Sequence, residues 1–352
     1  MKAQTKKIPK KPPLPSAAPT MPATEPVQTP SPPATPPTAE PQHDDKTTTA
    51  NPEQLPPPPP APPIIPWWQF VKESSDAEIK KRFVKEVTKI CDDYKAMLSS
   101  YSSLAILSPA DSIDSFEADR IFTALVEGNA KKEKDVMLMI LSPGGSIEPA
   151  YQVSTLCKSY SKSKFVTVVP RRAKSAATLI AIGADQIHMG PLSQLGPIDP
   201  QVGGLPALGV VEAIRRIAEL SQEFPGSSEM FSKYLKLALT VEQIGYCERI
   251  GKSAVQYATR LLGTKPSLKG KEAKIANELV YEYMDHGFVI DLSEAQKHLG
   301  SGWIMTDTEE LGLAERIYRL FEDVNLFLGV YHKKHLAVIG SLFSEPNIWP
   351  NR

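Results

Sequence analysis

Two short motifs in the middle of the chain carry residue types suited to acyl transfer. The first is SPGGS at 142–146, directly after the apolar run VMLMIL at 136–141. The second is AKSAAT at 173–178, shortly after the apolar run FVTVV at 165–169. It places the hydroxyl of Ser175 at the start of a small, apolar segment that suits a short buried helix. A serine flanked by backbone N–H donors is the arrangement that nucleophilic attack on a carbonyl requires.

Each motif alone has an ordinary structural explanation. Paired glycines such as Gly144 and Gly145 commonly form a strand-to-helix turn, and a serine at a helix start commonly caps the helix. Together the motifs say more, because both follow buried strands that a parallel sheet would place side by side. Open α/β sheets bind ligands at that edge. We therefore predict that Ser175 is a nucleophile and that the amides of Gly145 and Ala176 form an oxyanion hole.

The surrounding sequence alternates between apolar runs of strand length and segments with helical periodicity. This alternation predicts an α/β fold with a mainly parallel sheet flanked by helices, and with extra helices in the C-terminal half. A helix over about 76–100 and a second one capped by Asp111 and Ser112 should precede the first apolar run. The later predicted helices span about 147–160, 175–183, 210–223, 228–239, 241–262 and 268–284, and 317–343 should hold a helix and a short apolar element.

A longer string around the second motif resembles a known family. PRRAKSAATLIAIGADQIHMGPLSQLGPIDPQ at 170–201, with SPGGS about 30 residues before Ser175, is similar to the serine dehydrogenase proteinase family. That family is a distant branch of the ClpP/crotonase superfamily. The resemblance is close over 136–201 and looser as far as Gly300. It implies a ClpP/crotonase-like fold and a serine peptidase that hydrolyses peptide bonds through an acyl-enzyme on Ser175, without a cofactor.

The resemblance also implies a catalytic triad in the chain order Ser-Asp-His. The matching positions are Asp199 in GPIDP and His286 in DHGF. On residue type alone, Asp199 before a proline equally suits a turn, and His286 near a helix end equally suits a cap. A lysine base also stays open, because some relatives use a Ser-Lys dyad. The side chain of Lys174 should diverge from its neighbour Ser175, and the remaining candidates need the chain to fold back: Lys158, Lys162 and Lys164.

The other histidines show no metal-ligand pattern. His188 lies on a predicted short strand, where a core or edge position is expected. His298 falls in a polar helix, and His332 and His335 flank two lysines, so these three are predicted to be solvent-exposed.

Two rival functions fit the same motifs. A crotonase-type acyl-CoA enzyme would use paired amides to hold a thioester oxyanion and would not need Ser175. A non-catalytic scaffold would keep the fold and use the proline-rich segment to bind partners. The first would retain activity in Ser175→Ala, and the second would not react with a serine-directed phosphonate.

Composition divides the chain into two parts. Residues 1–66 hold 22 of the 34 prolines and few aromatic residues, which predicts a disordered tail; 67–352 form the predicted ClpP/crotonase-like serine peptidase domain. Lys+Arg and Asp+Glu balance at 40 each, so no net charge favours nucleic acid. Three widely spaced cysteines suit a reducing compartment, and no apolar run reaches the length of a membrane span. We expect a cytoplasmic protein.

The expected partners follow from these features and from the resemblance. A peptide or protein is the predicted substrate, and a partner with a proline-binding groove is an option for the tail. Members of the superfamily form oligomers, so the resemblance implies self-association, for which the long helices after Gly204 are the expected surface. No bound metal or cofactor is expected.

Overall fold

The computed structural model describes residues 65–202 and 205–351. The predicted proline-rich tail therefore lies outside the described residues, apart from its last two positions, and the boundary at 66/67 stays a prediction. The strands are β1 (Tyr101–Leu107), β2 (Asp135–Leu141), β3 (Phe165–Val169), β4 (Arg172–Ala173), β5 (Gln186–Met189), β6 (Gln194–Leu195), β7 (Gln201–Val202), β8 (Leu205–Pro206), β9 (Ile304–Met305), β10 (Lys334–Ser341) and β11 (Asn347–Pro350).

Twelve α-helices connect these strands within the described part of the chain. They are α1 (Trp67–Glu73), α2 (Asp76–Asp92), α3 (Lys95–Leu98), α4 (Ser115–Asn129), α5 (Ile147–Tyr160), α6 (Ala176–Gly183), α7 (Ala207–Glu223), α8 (Ser228–Ala238), α9 (Val241–Leu262), α10 (Glu272–Asn277), α11 (Leu292–Leu299) and α12 (Glu309–His332). A π-helical turn, Glu278–Glu282, follows α10.

Seven of the strands form one sheet in the order β11-β10-β1-β2-β3-β5-β9. The five from β1 to β9 run parallel, and β10 and β11 are antiparallel at one edge. This confirms the predicted α/β fold with a mainly parallel sheet. Because a parallel strand packs helices on both faces, successive residues of β2 enter different cores. Val136 belongs to the core beneath α4, α5, α6 and α9, whereas Met137 belongs to the core beneath α1, α2 and α12.

Two N-terminal predictions need correction. The helix expected over about 76–100 breaks after Asp92 and resumes as the short α3. The helix expected to begin at Asp111-Ser112 begins at Ser115 and is capped by Asp114, whose carboxylate accepts from the Phe116 amide at 2.7 Å. Asp111 has a different role, because its carboxylate lies 2.8 Å from His335 Nε2 in a buried contact.

The helices after Gly204 differ in burial: α9 packs on the core, whereas α7 buries only Ala207 and α8 buries no residue. α7, α8 and α9 were predicted within a few residues of their observed bounds. In α8 none of the residues is buried, and several large apolar side chains on and after it are more than half exposed: Met230, Tyr234, Leu237 and Val241. Among the described helices, none combines the length and apolarity that crossing a bilayer requires.

Candidate active site

The nucleophile candidate Ser175 occupies a sharp turn between β4 and α6. Its backbone has φ 51° and ψ −118°, a conformation that non-glycine residues seldom adopt. Such strained positions cluster at functional sites, where the surrounding structure holds them in place. Here β4 fixes the chain before the turn, because Ser142 donates its amide to Arg172 O at 3.0 Å and accepts from the Lys174 amide at 3.1 Å. The side chain of Ser175 is half-buried.

The glycine turn after β2 packs directly against the serine turn, as the parallel neighbours β2 and β3 require. A Cβ built on Gly144 would lie 2.7 Å from Ser175 Cβ and 2.7 Å from Lys174 O, so only glycine allows this approach. Gly144 has φ +111° and Gly145 φ +155°, both in a region that favours glycine. The carbonyl of Gly144 accepts from the Ile113 amide at 2.8 Å, which orients the turn.

Within the described residues the amides of Gly145 and Ala176 have no acceptor, and neither has the amide of Ser175. Ala176 is the first residue of α6, where the helix leaves its amide unsatisfied and concentrates positive potential. Gly145 lies in the adjacent turn, one residue beyond the glycine that contacts Ser175. The predicted pair of donors is thus available beside the Ser175 turn.

Asp199 and His286 are brought together by a short antiparallel pairing. Leu195 and Ile290 form a β-bridge, with reciprocal amide-to-carbonyl bonds of 2.9 and 3.1 Å. Asp199 lies four residues after Leu195, and His286 lies four residues before Ile290. The bridge therefore holds the two segments side by side close to both residues. His286 Nδ1 and Asp199 Oδ1 form a short hydrogen bond.

The environment of the pair differs at its two ends. Asp199 is 4% exposed, and burial raises the pKa of its carboxyl, while the hydrogen bond with His286 acts in the opposite direction. Its second oxygen, Oδ2, accepts from Gln201 Nε2 at 3.0 Å. The side chain of His286 is 34% exposed, and within the described residues its Nε2 has no hydrogen-bond partner. The buried carboxylate therefore lies behind an imidazole whose other nitrogen is free.

Ser175, Gly145 and His286 line one cleft of about 480 Å³. α5 contributes Ile147 and Glu148 to the wall of the cleft, and α9 contributes Tyr246, Ile250 and Ser253. Among the described residues the Ser175 hydroxyl makes no hydrogen bond, so Ser175 and the candidate base His286 are not in contact in this structure. Catalytic hydrogen bonds are often long before substrate binds. Ser175, His286 and Gly145 nevertheless share a single opening.

The lysine alternatives lie elsewhere or have other partners. Lys158 Nζ pairs with Asp185 Oδ2 at 2.5 Å, away from the cleft. Lys162 and Lys164 do not line the cleft. Lys174 Nζ points to backbone carbonyls, the nearest being Phe288 O at 2.9 Å. The structure therefore brings His286 into the cleft and does not bring these lysines there.

Two of the remaining histidines correct the sequence analysis. His298 was expected at the surface, but its side chain is 12% exposed and lies 2.7 Å from Tyr283 Oη and 3.0 Å from Glu278 Oε2. His335 is buried against Asp111. His188 is buried as expected, with Nδ1 2.8 Å from Thr308 Oγ1.

Sequence reasoning missed two side chains that hold the site. Gln201 binds Asp199, and its position two residues further along the same segment was the available signal. Thr178 Oγ1 lies 2.7 Å from Ala173 O and 2.8 Å from Gly196 O, and it accepts from the Gly196 amide at 3.0 Å. It thereby connects α6 to the segment that leads to Asp199. No local sequence pattern predicts this contact.

No metal or disulfide accompanies the site in the part of the chain that the structure covers. No group of three or more His, Cys, Asp or Glu side chains there is arranged to hold a metal ion. The three cysteines are free and buried, and burial raises the pKa of Cys91 to about 11. The polar side chains that line the cleft include the hydroxyl of Ser175, the imidazole of His286 and the carboxylate of Glu148.

Comparison with known proteins identifies related sequences over part of the chain. Two uncharacterized proteins of Methanocaldococcus jannaschii are 40% identical over 87 residues and 35% identical over 88 residues. Each match covers 25% of this chain and 30% of the relative. The chain thus spans about 30% of the length of the curated relatives it matches.

The solved structures similar to part of this chain include two proteases. The 1510-N membrane-bound stomatin-specific protease, as a mutant, is 15% identical, with a TM-score of 0.37 over 64% of this chain and 83% of that chain. ClpP1 from Listeria monocytogenes is 13% identical, with a TM-score of 0.37 over 62% of this chain and 98% of that chain.

A family model extends the assignment made from the two motifs. Residues 101–223 match the family described as ClpP-like SDH-type serine proteinase. The match includes β1, both motifs and Asp199, and it ends before His286. The resemblance predicted from the sequence is confirmed over residues 101–223, which match the family of ClpP-like SDH-type serine proteinases.

Proposed function

We propose that this chain is a serine peptidase that cleaves peptide bonds through an acyl-enzyme on Ser175. The observation that carries the proposal is the cleft that Ser175, Gly145 and His286 share, with Asp199 hydrogen-bonded behind the imidazole. The family matched over residues 101–223 supports the same class of activity. The order Ser-Asp-His along the chain is immaterial to the chemistry, because a triad is defined by geometry and roles.

In the first half of the reaction, His286 Nε2 takes the proton from Ser175 Oγ as that oxygen attacks the carbonyl carbon of the substrate. The tetrahedral oxyanion accepts hydrogen bonds from the Gly145 and Ala176 amides, each of which lacks another acceptor. The C–N bond then breaks, and the imidazolium gives its proton to the leaving amine. The Asp199 carboxylate holds Nδ1–H and stabilises the charge on the imidazolium.

In the second half, water replaces the amine. His286 takes one proton from the water as its oxygen attacks the acyl carbon. The ester bond to Ser175 Oγ breaks, the serine regains its proton, and the carboxylic acid leaves. The sequence of steps requires no redox partner. Self-association through α7, α8 and α9 stays a prediction, which their exposed apolar side chains favour.

Reaction with a fluorophosphonate tests the proposal directly. The purified wild-type chain should form one adduct, located on Ser175 by mass spectrometry, and Ser175→Ala should form none. Ser103, buried on β1, gives a matched control variant, Ser103→Ala, which should label like the wild type. Labelling at another serine, or none in a folded wild-type protein, would contradict the proposal. Retained turnover in Ser175→Ala together with binding of a CoA ester would instead favour a crotonase-type enzyme.

A further inference from the structure

Lys174 precedes the nucleophile candidate directly, and its ammonium group contacts three backbone carbonyls. Lys174 Nζ lies 2.9 Å from Phe288 O, 3.2 Å from Leu195 O and 3.5 Å from Gly287 O. An ammonium group has three donors, so these three acceptors match its hydrogen-bonding capacity. All three belong to segments distant in sequence from Ser175.

The three carbonyls lie in the two segments that carry the Asp199–His286 pair. Leu195 begins the stretch that leads to Asp199, and Gly287 and Phe288 directly follow His286. The turn at His286 is itself held locally, because Asp285 Oδ1 accepts from the Gly287 amide at 2.9 Å. One side chain on the nucleophile turn therefore contacts both segments from which the other two members of the site project.

The aliphatic part of Lys174 is fitted as closely as its ammonium. A Cβ built on Gly196 would lie 2.5 Å from Lys174 Cδ and 3.4 Å from its Cα. The lysine side chain therefore occupies the space that a side chain at position 196 would need. Gly196 is the residue that Thr178 also binds, on the path to Asp199. Lys174 and Gly196 thus form one contact between the nucleophile turn and the Asp199 segment.

The electrostatic surroundings suit a fixed cation. Lys174 is half-buried, and within the described residues no carboxylate lies within salt-bridge distance of it. Burial, with the nearby charge of Arg172, lowers its pKa, and Asp285 acts in the opposite direction. The carbonyl dipoles take the place of a counter-ion. An ammonium whose donors point to three carbonyls has no lone pair to accept the Ser175 proton, so this geometry does not suit a base. We call the contacts of Lys174 with the three carbonyls and with Gly196 the clamp.

We propose that Lys174 is a positioning residue that fixes the Asp199 segment and the His286 turn against the nucleophile turn. The inference rests on the proposed function of Ser175. The clamp sets the separation between Ser175 and His286, which share a cleft but no direct contact in the unbound protein. A misplacement of about 1 Å at such a site can cost on the order of 100-fold in rate. Loss of the clamp therefore slows attack by Ser175 while leaving the cleft walls in place.

Replacing Lys174 tests the clamp. Lys174→Met keeps the stem length and removes the donors, and Lys174→Arg keeps the charge and the donors. We expect Lys174→Met to reduce kcat on a p-nitrophenyl ester by about 10- to 100-fold with KM within about twofold. Lys174→Arg should recover part of that loss. Lys252→Met, at an exposed lysine paired with Glu248 on α9, is the matched control and should behave as the wild type.

The fluorophosphonate separates positioning from simple destabilisation. A positioning role lowers the rate of Ser175 labelling while the final fraction of labelled protein stays the same. A structural role lowers the folded fraction and Tm, which circular dichroism measures independently of labelling. An unchanged rate in Lys174→Met overturns the proposal. Lys174→Arg as inactive as Ser175→Ala also overturns it, because arginine cannot act as a base and a lysine base would then be indicated.

Gly196→Ala provides a second route that does not remove the lysine. Its methyl group would displace Lys174 Cδ, a flexible atom, so the fold should tolerate it while the clamp shifts. We expect Gly196→Ala to slow labelling by about 10-fold when Lys174 is present. In a protein that already carries Lys174→Ala it should slow labelling by less than twofold, because the effects of substitutions at contacting residues are not additive. Equal effects in both backgrounds refute the coupling. If the wild type fails to label at Ser175, the proposed function is refuted. If the wild type is labelled and every variant is labelled at the same rate, only the clamp is refuted.

Discussion

Replacing Asp199 by asparagine tests the contribution of a buried carboxylate to a site whose imidazole faces solvent. Asp199 accepts two hydrogen bonds, from His286 Nδ1 and from Gln201 Nε2 at 3.0 Å. Asparagine has the same shape but only one acceptor oxygen. Because the side-chain amide of Gln201 can rotate to accept from the new NH₂ group, the asparagine oxygen can still face His286. The substitution then removes the charge and leaves the orientation of the imidazole.

The size of the effect follows from that charge. A hydrogen bond to a charged group contributes about 1.5–3 kcal/mol, and each 1.4 kcal/mol is tenfold in rate, so the loss in kcat should be roughly 10- to 150-fold. If Gln201 did not rotate, the asparagine NH₂ would face Nδ1 and impose the wrong tautomer. The same substitution in a known Ser-His-Asp protease costs roughly 10⁴-fold for that reason. We expect a loss of about 100-fold.

Stability should move in the opposite direction. Burial raises the pKa of Asp199 above its ordinary value of 3.8, so the folded state binds the proton more tightly than the unfolded state does. The stability from this group is present below pH 3.8 and is lost as pH rises through the raised folded pKa. At pH 7 the neutral asparagine avoids the destabilisation that burial of the ionised Asp199 causes. Asp199→Asn should therefore keep or raise Tm at pH 7, and its advantage should shrink as pH falls toward 4.

Two measurements decide the matter. Hydrolysis of a p-nitrophenyl ester gives kcat, and circular dichroism gives Tm between pH 4 and 8. Asp291→Asn is the matched control: Asp291 caps α11, where asparagine also serves, so rate and Tm should stay unchanged. A rate loss below threefold in folded Asp199→Asn would refute the role assigned to the carboxylate. A large fall in Tm with an unchanged rate would show that Asp199 is purely structural.

Two further substitutions probe the glycine turn and a buried acid. Gly144→Ala would place a Cβ 2.7 Å from Ser175 Cβ in a backbone with φ +111°. It should therefore lower the free energy of unfolding, measured by urea denaturation, by about 1–3 kcal/mol and slow phosphonate labelling. Gly226→Ala, which has open space around it, is the control and should change neither quantity. Burial raises the pKa of Glu117 to about 7, so its stabilising contribution is present below pH 4.5 and is lost as pH rises through 7. Glu117→Gln keeps a capping side chain, so its Tm should exceed that of the wild type at pH 8 and converge with it near pH 4.5. Parallel Tm profiles for the two proteins would contradict this interpretation.

Local sequence determined the elements around the two motifs. The apolar runs became β2 and β3, and the segments after them became α5 and α6 at the expected positions. Their signals are strong because a parallel strand buried on both faces needs an unbroken apolar run. β1 was not predicted, since Ser102 and Ser103 interrupt its apolar character. Those serines are buried because β1 lies between β2 and β10, a property of the sheet and not of the segment.

The tertiary structure decided which polar side chains meet. Sequence alone offered Asp199 as a turn residue and His286 as a helix cap, and the resemblance paired them. Their contact across 87 residues joins two segments that the bridge between Leu195 and Ile290 holds side by side. The side chain of Lys174 was predicted to diverge from Ser175, and its Nζ lies against backbone carbonyls. Its carbonyl partners could not be foreseen, because they lie 21 to 114 residues away along the chain.

The sequence by itself therefore determined the turn at Ser175, the glycine turn and the parallel sheet that sets them side by side. All three depend on local conformational preferences and on apolar runs that a single segment displays. Only the tertiary structure decided that the Asp199–His286 pair forms and that Lys174 contacts both of its segments. Those contacts depend on the register between distant strands, which each segment's own composition leaves open.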